Sequence, residues 1–295
     1  MRQMTERQVP RESLTLNEET RSALTGSFVA LPDGITHYEL GGPPDGRPVV
    51  LVHGFSVPLY IWDPTFEALV GAGFRVLRYD LFGRGYSDRP PVENNVDLFD
   101  GQLHALLDAL EIALPVSVVG VSMGGIVGAT FADRHPERVD RLALIDPAGF
   151  PLNWGPSVQL MALPVVGETL MALFGARMLV SGLPDDLFWP EGYPQYVEQY
   201  YPQLAYRGFL RSILSTLRGM PLGDHEAVYR RVGAQGQPIL LIWGEHDRTV
   251  PFEHHKAALT AMPQAEFHPV REAGHIPHYE RPAVVNPLLI AFLRR

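Results

Sequence analysis

The chain has 295 residues, 46% of them hydrophobic and 19% charged, which is enough apolar material for the large core of one α/β domain carrying an insertion. A net charge of −9 with no run of like positive charges argues against nucleic acid or an anionic membrane as the main partner, and the lack of cysteine excludes disulfides, thiolate nucleophiles and zinc–thiolate sites. Residues 1–25 hold no apolar leader core and read as a polar, mobile arm, so cytoplasmic residence is expected, and no uninterrupted apolar stretch reaches bilayer-spanning length.

GSFVAL and ITHYEL flank Pro32-Asp33-Gly34 and predict a hairpin. PVVLVHGF (48–55) is a short apolar run of the buried parallel-strand kind, and Asp63-Pro64 opens a helix that closes at Gly71 to Gly73. RVLRYDL is the next strand. A glycine turn at Gly83-Arg84-Gly85 follows, then a helix over about 96–112 with Leu103, Leu106, Leu107 and Leu110 on its apolar face. VSVVGV (116–121), RLALIDPA (141–148), PILLIWGEHD (238–247) and AEFHPVRE (265–272) supply four more strands, and residues 282–294 a closing helix. This alternation predicts an α/β fold: a mostly parallel eight-stranded sheet with helices on both faces.

Residues 149–228 break the pattern. They hold no clean strand but many aromatic and methionine residues, among them Trp154, Met161, Phe174, Trp189, Tyr196 and Tyr206, with Pro and Gly between short helical patterns. So long a loop without structure of its own is implausible, and the segment predicts a helical cap inserted between core segments 26–148 and 229–295. Most of its aromatics should pack the cap itself. A few should line an apolar pocket with few fixed charges, suited to a neutral small-molecule substrate.

In VSVVGVSMGGIVGAT, Ser122 sits at a corner between a β-branched strand and a helix. A corner that sharp crowds the residues two before and two after, so Gly120 and Gly124, lacking Cβ, relieve the clash and leave the Ser122 hydroxyl exposed above the strand end. The N–H of Met123, at the helix start, is placed to stabilise an oxyanion.

A serine hydroxyl needs a base to take its proton, and histidine suits that task near neutral pH. His275 follows a predicted strand after Gly274, which brings it to the sheet edge that carries Ser122. His278 approaches the last helix and is the weaker candidate; His53 reads as a brace for the backbone around it. The carboxylate that orients the base is Asp247 at the end of PILLIWGEHD, with Asp146 at the end of RLALID as the alternative acid. Asp80 reads as structural, holding the glycine turn after it.

The motifs HGF (53–55), YDLFGRGYSD (79–88), GVSMGG (120–125), WGEHD (243–247) and AGH (273–275), in this order and spacing, resemble the α/β-hydrolase-fold serine hydrolases, in particular capped bacterial carboxylesterases and monoacylglycerol-lipase-like enzymes. The resemblance covers residues 26–295. It implies the chain order nucleophile, acid, base, which Ser122, Asp247 and His275 satisfy. It also places the second oxyanion donor on Phe55 and implies cofactor-independent ester hydrolysis; the lysine-free, Met- and aromatic-rich cap points to neutral esters and its length to short-to-medium acyl chains, while perhydrolases share the triad, so peracid formation stays open as a side activity. A carbon–carbon bond hydrolase of ring-cleavage dienoates is the alternative enzyme, its substrate carboxylate clamped by Arg177, Arg207 or Arg211. A capped small-molecule receptor with little turnover is the alternative of another kind. His246, His254, His255 and His278 have no tight ligand spacing, so neither a metal nor a cofactor is expected. Oligomeric state is not legible.

Overall fold

The computed structural model describes residues 9–151 and 155–295; Trp154 lies outside them. The apolar runs form the strands β1 (Ser27–Leu31), β2 (Gly34–Gly41), β3 (Pro48–Val52), β4 (Arg75–Tyr79), β5 (Val116–Val121), β6 (Val139–Ile145), β7 (Ile239–Gly244) and β8 (Glu266–Val270). They make one sheet in the order β1-β2-β4-β3-β5-β6-β7-β8. β2 is antiparallel to β1 and to β4, and every other pairing is parallel. Because β5 and β7 are buried on both faces, they read as continuous apolar runs without alternation.

Two cores sandwich this sheet. On one face Val49, Leu51, Val119 and Ile242 pack with Leu69 of the helix Asp63–Gly71 and with Val285 and Leu289 of the helix Pro282–Arg294. On the other, Val50, Val52, Val118 and Leu241 pack with Leu103 of the helix Val96–Ala109, Ile126 of Met123–Arg134 and Val232 of Glu226–Ala234. Asn95 caps the helix Val96–Ala109, its Oδ1 accepting from the Leu98 N–H at 3.0 Å. The parallel strands all point one way, so the loops leaving β3, β5, β6, β7 and β8 converge on one edge.

Between β6 and β7 the regular elements among the described residues are helices joined by loops. The run Val166–Asp186 passes through a π-helical turn at Met171–Gly175, and the amphipathic helix Phe209–Gly219 follows. The first of these amends one expectation: over 21 residues it is long and apolar enough, by length and composition alone, to cross a membrane. Glu168 and Arg177 interrupt its apolar letters, which is why no uninterrupted stretch is visible in the sequence.

The described part of the N-terminal arm makes contacts that composition does not reveal: the N–H groups of Ser13 and Leu14 donate to the Ala205 carbonyl, and Arg207 N–H donates to the Leu14 carbonyl. The Glu12 carboxylate accepts from the N–H groups of Gly208 (3.0 Å) and Leu210 (2.7 Å). A carboxylate on the first N–H groups of Phe209–Gly219 satisfies donors that a helix start leaves unpaired, and composition alone cannot reveal such a partner.

Candidate active site

Ser122 lies between β5 and the helix Met123–Arg134 with φ 55° and ψ −122°, a backbone conformation that side-chain-bearing residues rarely adopt. The corner is held by the Ser122 N–H donating to the Ile145 carbonyl (3.0 Å) and the Ser122 carbonyl accepting from Ala148 (3.1 Å). A Cβ on Gly120 would lie 2.3 Å from the Gly124 carbonyl oxygen, and one on Gly124 would lie 2.2 Å from that of Val52. Gly124→Ala is therefore expected to cost about 1–3 kcal/mol of stability. Urea denaturation checks this; an unchanged midpoint would show that the backbone yields freely.

His275 leaves β8 and meets Asp247 at the end of β7, with 2.8 Å between Nδ1 and Asp247 Oδ2. The other oxygen, Oδ1, accepts from the N–H groups of Thr249 (2.8 Å) and Val250 (2.9 Å), which fixes the carboxylate plane. Burial works against charge on the His275 ring, yet Asp247, with Asp186 adding, carries its pKa above the ordinary 6.5. Asp146, the alternative acid, is fully buried beside this pair, and its Oδ1 accepts from Gly244 N–H at 2.9 Å.

Ser122 and His275 open on one cavity of about 360 Å³, whose floor includes Gly54 and Phe55. Among the described residues no hydrogen bond engages the N–H of Phe55 or Met123, so both donors are available to a ligand. The Phe55 loop is pinned from behind. Arg84, fully buried, donates to the Phe55 carbonyl (2.8 Å), and Gln203 Nε2 donates to that of Ser56 (3.0 Å).

His53 braces the same loop, its Nδ1–H donating to the Gly54 carbonyl and its Nε2 accepting from Leu81 N–H, both at 2.9 Å; burial lowers its pKa to about 4. Asp80 accepts from the N–H groups of Leu59 and Tyr86 at 2.9 Å and pairs with His37 at 2.7 Å, so it holds the turn. His278 is buried against Trp62, with burial and the neighbouring His275 lowering its pKa to about 3.

A family model for the alpha/beta hydrolase fold matches residues 47–282. The chain belongs to the α/β-hydrolase family. It is 31% identical over 88% of its length to the dihydrolipoyllysine-residue acetyltransferase component of the acetoin cleaving system of Pseudomonas putida, covering 66% of that protein, just under two thirds. To the 2-hydroxy-6-oxononadienedioate/2-hydroxy-6-oxononatrienedioate hydrolase of Paraburkholderia xenovorans it is 30% identical, over 92% of this chain and 96% of that one. Among solved structures, the enol-lactonase of Burkholderia xenovorans LB400 superposes with a TM-score of 0.75 at 25% identity, covering 91% of this chain and all of the other.

Within this hydrolase the cavity walls correct the expectation of few fixed charges, because Asp185, Asp186 and Arg248 all line them. Asp186 ends the long helix. It accepts from Tyr196 O–H and Thr249 O–H, both at 2.8 Å, and its own carbonyl accepts from His275 N–H at 2.8 Å. Burial raises its pKa despite His275 and these two donors. The sequence signal is an Asp pair closing a mostly apolar helix, and an arginine directly after Asp247.

The arginines singled out as clamps do not line the cavity. Arg207 donates to the Ser13 carbonyl and Arg211 to those of Arg89 and Pro90, while Arg177 is absent from the lining. The four weighed histidines are dispersed: His246 lies on Phe188, His255 on Phe267, His278 on Trp62 and His254 by Phe150. The group with metal-compatible spacing among the described residues is instead Asp146, Asp247 and His275, and there the His275–Asp247 hydrogen bond already occupies one nitrogen and one oxygen.

Proposed function

We propose that this hydrolase cleaves neutral carboxylic esters of short-to-medium acyl chain, with Ser122 as nucleophile, His275 as general base and Asp247 as its orienting acid. The observation that carries the reading is the His275–Asp247 hydrogen bond at the rim of the cavity into which the strained Ser122 turn opens. Serine attack on the ester carbonyl passes its proton to His275 and builds a tetrahedral oxyanion between the N–H groups of Phe55 and Met123. Collapse expels the alcohol, protonated by the same imidazole, and leaves an acyl-enzyme that water then hydrolyses by the reverse transfers. Asp185 and Asp186 in the wall favour neutral over anionic substrates.

A second reading has its own observation. Arg248 in the wall is a cation for a substrate carboxylate, and a relative at 30% identity is named as a hydrolase of a dienedioate. Comparing kcat/KM for p-nitrophenyl acetate through palmitate with that for a ring-cleavage dienoate decides between them. Ester preference rising several-fold per methylene up to the cavity's limit is expected, since each buried CH₂ contributes up to about 0.8 kcal/mol. Preference for the dienoate, lost in Arg248→Ala, would overturn the ester assignment.

The pH profile is a further check. His275 acts as base only when neutral, so kcat/KM should fall as pH drops through its pKa, which lies above 6.5. An acid limb centred below 6.5 would contradict the environment described for this ring.

A further inference from the structure

Asp146 is fully buried at the end of β6, and the chemistry above does not use its carboxyl. Its carboxyl, an oxygen of Asp247 and a ring nitrogen of His275 all lie within 4.8 Å of one another. Asp146 Oδ1 accepts from the Gly244 N–H, while Oδ2 accepts from no group among the described residues. Asp247 has received three donors, from Thr249, Val250 and His275, and a carboxylate offers about four acceptor sites. One acceptor site on Asp247 and one undonated oxygen on Asp146 therefore stand close together in the buried interior.

We propose, resting on the triad reading above, that Asp146 is a positioning residue: a neutral carboxylic acid whose Oδ2–H donates to Asp247 and so completes the set of donors that holds the carboxylate against His275.

Two carboxylates this close and this buried cannot both be ionised, and the proton belongs on the one with fewer donors. Burial first, then the Asp247 charge, raises the Asp146 pKa well above the carboxylate range. The residue is also held in place by its backbone, at φ 44°, a left-handed conformation that Asp and Asn tolerate better than other side chains. The groups around the cluster and its cavity are Asp247, Arg248 and His254 after β7, Asp185 and Asp186 from the long helix, and His278 and Glu280 from the helix Pro277–Glu280. Asp247 and Asp186 already raise the His275 pKa. A third anion would hold the ring protonated to still higher pH and remove the base, whereas a neutral donor draws charge density from Asp247 and keeps the ring available.

The test compares the native chain with Asp146→Asn and Asp146→Ala. Asparagine keeps a neutral N–H donor and the left-handed backbone, whereas alanine keeps neither. Relative to Ala, which should lose about tenfold in kcat/KM and titrate His275 at higher pH, Asn should recover most of the activity and leave the titration where it is. Infrared difference spectra at neutral pH should contain a protonated-carboxyl band in native minus Asp146→Asn. That band, and His275 titration followed by ring NMR, need no substrate, so they report on Asp146 even if ester turnover is absent. No such band, or a His275 pKa that drops by about one unit in Asp146→Asn as removal of an anion requires, overturns the proposal.

Discussion

Replacing Ser122 with alanine is expected to lower kcat by about 10⁴-fold or more while the chain still folds. The hydroxyl is small, and Ala retains the Cβ that already fits the corner, so folding loses little. What disappears is the only atom in the proposed scheme that can carry the acyl group. A fluorophosphonate should label native protein on the peptide containing Ser122 and leave Ser122→Ala unlabelled. Retention of more than a few per cent of kcat, or labelling on another peptide, would remove Ser122 as nucleophile.

Asp247→Asn should lower kcat by about 10⁴-fold, the scale seen when the corresponding aspartate of a serine protease triad is changed. The carboxamide oxygen can still accept from Thr249 and Val250 N–H, which turns the NH₂ group toward His275 Nδ1. Nδ1 must then accept, so the ring proton moves to Nε2, the nitrogen that has to take the serine proton. The imidazolium formed during reaction also loses its counter-charge. Circular dichroism should stay native, because the carboxylate's structural bonds survive. Asp146→Asn should cost far less, and a reversed ranking of the two asparagine variants would move the acid to Asp146.

Much of the fold was legible because its signals are local. The hairpin at Pro32-Asp33-Gly34 is observed between β1 and β2, the apolar runs are the strands, and Asp63 and Pro282 open the helices expected there. The Ser122 corner was legible for the same reason: a β-branched run, two glycines at fixed offsets and a helix start suffice. The docked arm was not, because Glu12 finds its partners about 200 residues away, at Gly208 and Leu210. Nor was Arg84, whose place behind Phe55 depends on a helix from elsewhere supplying Thr216 as a further acceptor, at 2.8 Å.

The sequence by itself determined the order of strands and helices, the turn at Ser122, and the set of residues that reach the carboxyl edge of the sheet. These follow from periodicity, β-branching and glycine placement, which act over a few residues. Only the tertiary structure decided which carboxylate meets His275. Asp146 and Asp247 both follow neighbouring parallel strands, β6 and β7, and arrive at the same edge, so spacing cannot rank them. The choice was made by the loop after β7, which turns two N–H groups onto Asp247, while the left-handed backbone at Asp146 tucks its carboxyl toward Gly244. The cavity wall was decided in the same way. Which residues of the helix Val166–Asp186 line the cavity with Ser122 is fixed by tertiary packing, which puts Asp186, and not Arg177, Arg207 or Arg211, against His275.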